Sequence, residues 1–188
     1  MIGKHNFFSL ENGRSASPQK IQRELMGIRY EEAEIFHFSQ EIRRECTRFL
    51  EESENFLVVT GKSGVGKTHL CSALIPSMIS KYGSISSSNA FEICGIAPKE
   101  DEKWRSFFLE SILSCEIVIL EDIDRFLGDP VKEKILFQII DYRYSALKPI
   151  ILTAGCTLLE VPIIFDAKTS SRVLAKENSF IELKEYYR

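Results

Sequence analysis

The chain has 188 residues, of which 44% are hydrophobic and 27% charged, with a net charge of −3 at pH 7. That length suits one domain of ordinary size, and the balance allows a core together with a soluble surface. It excludes a broad basic nucleic-acid face, so DNA binding by the monomer is expected to be weak even with local groups such as Arg43, Arg44 and Arg48. No apolar run approaches the ~20 residues needed to span a bilayer.

The N-terminal run Met1-Ile2-Gly3-Lys4-His5-Asn6-Phe7-Phe8 lacks the long apolar stretch of a signal peptide, and a cytoplasmic protein is expected. Five scattered cysteines (Cys46, Cys71, Cys94, Cys115, Cys156) form no C-x-x-C pair and read as small buried hydrophobes. The three histidines have no ligand-like spacing. Residues 1–35 carry weak signals and are expected to be an extension or linker, with the nucleotide-binding domain over 36–188. Within the extension, Ser17-Pro18 can start a short helix running to Met26, which Gly27 ends.

Ser39 precedes Gln40 to Leu50, where Ile42, Cys46, Phe49 and Leu50 share one helical face. Phe56-Leu57-Val58-Val59-Thr60 then reads as a buried strand. It runs into Gly61-Lys62-Ser63-Gly64-Val65-Gly66-Lys67-Thr68, which satisfies G-x-x-x-x-G-K-[ST] at every fixed position. A helix follows from Thr68, so the motif has the strand–loop–helix context that it needs. In that arrangement backbone N–H groups turn inward around an anion at a positive helix end. The expected ligand is ATP or ADP: Lys67 is expected to reach the β-phosphate and, in ATP, the γ-phosphate, and the Thr68 hydroxyl to hold Mg2+.

Gly83 to Asn89 is polar and small, and is expected to be a turn or a short edge strand. Ala90–Cys94 reads as a strand and Trp104–Leu113 as a helix. Glu116–Leu120 reads as a second buried strand ending in Glu121-Asp122. Phosphoryl transfer needs positioning and charge neutralisation, and an acid at the end of a neighbouring apolar strand supplies what the glycine loop lacks. Glu121 is therefore expected on the magnesium side and Asp122 as the group that orients the attacking water. Asp124 and Arg125 are expected to be exposed turn residues, paired with each other if with anything.

Pro130 opens a helix through about Ala146, with Ile135, Leu136, Ile139 and Ile140 facing inward. Pro149–Thr153 is a third apolar strand, Ser170–Lys176 a short helix and Phe180–Leu183 a last strand. Alternating strands and helices predict a three-layer α/β fold, a central parallel sheet flanked by helices, with its site at the carboxyl ends of the strands.

The ordered set of motifs resembles the AAA+ ATPases of the DnaA, Hda and DnaC group. Gly66-Lys67-Thr68-His69-Leu70 is similar to their phosphate loop, and it brings His69 into the expected nucleotide site beside Gly61, Ser63, Gly64, Val65 and Gly66. Leu120 to Arg125 resembles the second acidic box, Ile135–Asp141 the following helix, Pro149–Ala154 the sensor-1 strand and Ser171-Arg172-Val173-Leu174 the box that holds an arginine finger. The resemblance implies a P-loop NTPase with the base subdomain of an AAA+ module, and it gives Arg172 the finger role on a neighbouring subunit.

Two departures from the group's pattern stand out. The polar sensor-1 residue falls at Gly155 or Cys156, with Thr153 or Thr157 as partial cover. The acidic pair runs Glu then Asp. Both predict slow hydrolysis. The chain reaches Arg188 without the helical lid of DnaA and Hda, which is expected to be absent.

The resemblance implies an ATP-binding protein of replication initiation or its regulation, which assembles with itself or with a partner such as DnaA or the replicative helicase. The alternatives are a helicase or transposition loader of the DnaC type, favoured by Arg143-Tyr144, Arg172-Val173 and Tyr187-Arg188, and a nucleotide-binding scaffold with little hydrolysis.

Overall fold

A computed structural model describes residues 6–9, 17–52, 56–82, 84–89, 110, 112–184 and 186–187. The strand expected at 90–94 and most of the helix expected at 104–113 lie outside these residues. The described strands are β1 (Asn6–Ser9), β2 (Phe56–Thr60), β3 (Ser84–Asn89), β4 (Ile117–Glu121), β5 (Ile150–Ala154) and β6 (Ser179–Glu182). They form one sheet in the order β1-β3-β4-β5-β2-β6, parallel throughout except for β1, which runs antiparallel to β3. The expected central parallel sheet is present as β3-β4-β5-β2-β6, and β1 adds an antiparallel strand at one edge. The serine-rich segment expected to be a turn or an edge is a strand inside the sheet, between β1 and β4.

The helices are α1 (Pro18–Met26), α2 (Gln40–Glu52), α3 (Lys67–Lys81), α4 (Pro130–Ser145), α5 (Val161–Ile164) and α6 (Ala167–Val173). Their starts follow side-chain chemistry. Ser17 Oγ accepts from Lys20 N at 3.3 Å ahead of Pro18, and Gly27 at φ 96° ends α1. Asp129 accepts from the N–H groups of Val131 and Lys132 ahead of α4, and Asp166 from those of Lys168 and Thr169 ahead of α6.

Side-chain alternation along the strands separates two apolar layers. Leu57, Val59, Ile117, Ile119 and Ile151 face α1, α2 and α3, together with Leu70, Leu74 and Met78. Phe56, Val58, Val118, Leu120, Ile150 and Leu152 face α4 and α6, together with Ile135, Ile139 and Val173. β2, β4 and β5 are buried on both faces over most of their length, as a parallel sheet between helices requires.

Ile21, Leu25 and Ala33 belong to the same core as α3. Gln22, 2% exposed, donates its side-chain amide to the carbonyls of Ala33 (2.9 Å) and Ser72 (3.0 Å), and Ser72 Oγ donates to the Tyr30 carbonyl at 2.8 Å. The segment from 17 to 33 is therefore bolted to the helix that leaves the glycine loop.

Candidate functional site

β2 delivers the chain to the carboxyl edge of the sheet, where residues 61–66 turn back into α3. Gly61 (φ 139°) and Gly66 (φ 111°) hold conformations that side chains disfavour. Steric limits reinforce the choice. A Cβ on Gly61 would lie 2.5 Å from the Leu183 carbonyl oxygen, and one on Gly66 would lie 2.8 Å from that of Tyr187. The segment after β6 lies against the loop at both ends, since Leu183 N donates to Thr60 O at 2.9 Å and Tyr187 N to Val65 O at 3.0 Å.

Lys67 is 7% exposed, and its Nζ donates to Gly61 O at 2.6 Å and Lys62 O at 3.0 Å. The ammonium thus rests on carbonyls of its own loop, where phosphate oxygens can replace them. α3 begins at Lys67, so the N–H groups of its first turn have no helical acceptor and carry the positive end of the helix dipole. A pocket of about 460 Å³ opens here, bringing Ser63, Gly64, Gly66, Lys67, Thr68 and His69 together with Arg29, Tyr30 and Tyr187. The sequence reading missed the last three. They come from outside the motif, delivered by the bolted N-terminal segment and by the segment after β6.

His69 Nε2 lies 3.0 Å from His37 Nδ1, and its ring also packs on Phe38. His37 Nδ1 also accepts from the Glu34 N–H at 3.4 Å. Burial first, and His37 second, pull the His69 imidazole below its usual pKa.

The acids sit across the sheet. β5 lies between β2 and β4, which places the end of β4 two strands, ~10 Å, from the loop strand. Glu121 is half-buried at that end. Asp122 adopts φ 54°, a left-handed conformation that Asp tolerates better than most residues. Its N–H donates to Thr153 Oγ1 at 2.9 Å, and its carboxylate meets Arg125 Nε at 3.2 Å. Asp124 accepts from the Gly155 N–H at 2.7 Å. The expected pairing of Asp124 with Arg125 is thus replaced by Asp122 with Arg125, and Asp124 holds the turn after β5. Thr153 is occupied by that same junction.

Arg172 lies in a different layer. It makes a 2.5 Å ion pair with Asp141 of α4, donates to the Lys168 carbonyl, and lies over the rings of Phe137 and Tyr144. Arg143, cited for a loader-type reading, is fully buried. Its guanidinium donates to the carbonyls of Pro149, Ile112, Cys115 and Glu116. Burial lowers its pKa to about 10.

The donor chemistry fits a magnesium nucleotide. Thr68 and Glu121 offer hard oxygen ligands, and the buried Lys67 beside the loop's N–H groups offers a place for phosphate.

Residues 10–176 match the family described as IstB-like ATP binding protein. The chain belongs to that family. It is 31% identical, over 107 residues, to a protein of insertion sequence IS232 from Bacillus thuringiensis subsp. berliner that is named for ATP binding. The match covers 56% of the chain and 42% of that relative, so the chain spans less than half of the relative's length. Among solved structures the fold is that of AAA+ domains. The DnaC helicase loader superposes with TM-score 0.67 at 19% identity, over 83% of this chain and 99% of that one. DnaI superposes with TM-score 0.63 at 18% identity, over 81% and 91%. AMPPCP-bound DnaA from Aquifex aeolicus gives 0.68 at 19%, over 81% of this chain and half (50%) of that one. The IstB-like chain is thus a P-loop AAA+ domain related in fold to DnaA, DnaC and DnaI. No helix among its described residues is long and apolar enough to cross a membrane.

Proposed function

We propose that this IstB-like protein binds ATP with Mg2+ at the glycine loop and uses nucleotide state to control contact with a partner protein in DNA transposition or replication. The observation that carries the reading is the buried Lys67 ammonium, held by two loop carbonyls in the wall of a pocket of about 460 Å³. Lys67 would exchange those carbonyls for β- and γ-phosphate oxygens. The first-turn N–H groups would hold the same phosphates, and Thr68 and Glu121 would hold the ion that neutralises them.

The family match and the relative encoded by an insertion sequence favour a transposition or helicase loader over a DnaA/Hda-type regulator. Turnover is expected to be slow. Asp122 is engaged by Arg125, and the position after β5 offers Gly155 and Cys156 where a polar sensor would serve. A small displacement of the attacking water has a large effect on rate. Self-assembly would be needed for Arg172 to reach a neighbour's phosphate.

Calorimetric titration with ATP and Mg2+ tests the site. The wild type should bind, and Lys67→Ala should lose affinity by a factor of ten or more, about 1.4 kcal/mol or above. Equal affinity in the two would remove Lys67 from the site.

A further inference from the structure

β6 ends the sheet, paired with β2 on one side. α2 packs beside it, and the two border a groove of about 560 Å³. Its apolar lining includes Ile42, Phe180 and Tyr187, and its acids are Glu41, Glu45 and Glu182. Lys184 is the cation in the lining, and it pairs with Glu182 at 3.6 Å. Glu45 pairs with Arg48 at 2.9 Å, whereas Glu41 makes no ion pair among the described residues. Arg48 offsets Glu45 and Lys184 offsets Glu182, so the groove keeps one net negative charge, at Glu41, beside its apolar side chains.

That combination selects the occupant. A nucleic-acid backbone would be repelled by the carboxylates. A polypeptide segment with Lys or Arg flanked by aliphatic residues would satisfy both halves of the lining, cations on the glutamates and methylenes on Ile42 and Phe180.

One residue joins this groove to the glycine loop. Tyr187 lines the groove and also lines the pocket at Lys67 and Thr68. Its N–H is held by the Val65 carbonyl, and its ring packs on Phe38 with centroids 4.8 Å apart. A nucleotide phosphate at Gly64–Thr68 therefore meets the same residue that walls the groove.

We infer that the groove between α2 and β6 docks a basic, apolar-anchored segment of a partner protein, and that Tyr187 couples its occupancy to the nucleotide site. The coupling rests on the proposed ATP site, whereas the docking does not. Coupling is reciprocal, so docking and nucleotide must alter each other's affinity by the same factor.

The test uses the full chain, a peptide alternating lysine and leucine, and its glutamate–leucine counterpart. Binding is followed by amide shifts in nitrogen-15 spectra with and without ATP and Mg2+, and ATP binding is measured separately by calorimetry. The lysine peptide is expected to shift the amides of Glu41, Ile42, Glu45, Phe180 and Tyr187, and its affinity should change roughly threefold or more with nucleotide. The double variant Glu41→Lys, Glu182→Lys should weaken it about tenfold with an unchanged melting curve.

Equal binding of the glutamate peptide, or shifts confined elsewhere, overturns the docking site. The same shifts appearing on concentration of the protein alone would assign the groove to a second copy instead. Groove shifts that ATP leaves unaltered, in protein that binds ATP, overturn the coupling. Groove shifts in protein that binds no ATP support the docking and overturn the nucleotide reading.

Discussion

The side-chain amide of Gln22 donates to the carbonyl of Ser72, 3.0 Å away in the middle of α3. Ser72 stands four residues before Pro76, which lies inside that helix and has no N–H to offer. The helix lacks one bond of its ladder there, and a residue of α1 supplies the missing donor. The helix that leaves the nucleotide loop is thus completed from outside, and the N-terminal segment that carries Arg29 and Tyr30 to the pocket is fixed by the same contact.

Gln22→Leu should remove the donor from two buried carbonyls, Ser72 and Ala33, each worth about 1–3 kcal/mol when left unsatisfied. Urea unfolding should show the midpoint lowered at an unchanged m-value, by the lost free energy divided by m. Adding Pro76→Ala restores an N–H for Ser72 and should recover part of the loss. A double-mutant cycle with no interaction energy between positions 22 and 76 would contradict this account.

Arg143 presents a second buried tether. Its guanidinium reaches four carbonyls at the entry to β4 and β5 and holds the end of α4 to both strands. Arg143→Met should destabilise the protein by about 3 kcal/mol or more, because those acceptors lose their donors inside the core. Arg143→Lys should restore little of this, since an ammonium lacks the planar fork. Thermal unfolding of both variants decides it, and a lysine variant as stable as wild type would argue against the forked contact.

The loop, its strand and its helix were legible because they depend on local chemistry. Glycines at fixed spacing and an apolar run each leave a mark in sequence. The starts of α1 and α4 were legible for the same reason, through Ser17-Pro18 and Pro130. β3 was legible only as a turn or short edge strand, because Ser84-Ile85-Ser86-Ser87-Ser88-Asn89 has almost no apolar alternation and is placed inside the sheet by its neighbours on both sides. The burial of Arg143 left no mark in the sequence, since burial of a charge depends on carbonyls gathered from elsewhere in the chain. Arg29, Tyr30 and Tyr187 reach the pocket through folding, so no spacing announces them. The His37–His69 contact joins residues far apart in sequence and was invisible for the same reason.

The described cysteines make a pH prediction with a definite sign. Burial raises the Cys46 thiol to about 12 and the Cys71 thiol well above the ordinary value of 9.0. Their folded pKa values exceed the unfolded ones, so the stabilisation is complete below about pH 9 and is lost as pH rises toward the folded values. Unfolding free energy should fall on raising the pH above 9, and Cys71→Ala should flatten that fall. Alkylation of the native protein at pH 8 should modify half-exposed Cys156 before Cys46 or Cys71. Faster reaction at Cys71 would show that the core opens far more readily than this packing implies.

Arg172 gives the sharpest test of assembly. Within one chain it is engaged by Asp141 and by two aromatic rings, an arrangement that holds the guanidinium on α4. The pair is partly exposed, so its loss should cost no more than about 1 kcal/mol. If the arginine also completes a neighbour's site, Arg172→Ala should leave ATP affinity of the dilute monomer unchanged. It should lower turnover only at concentrations where subunits associate, by a factor that grows with occupancy of the interface. Asp141→Asn separates the two roles, because it loosens the internal tether and keeps the arginine. It should leave assembled turnover equal or higher while lowering stability slightly. Measured against protein concentration, an equal loss for Arg172→Ala in monomer and assembly would confine the residue to its contact with Asp141.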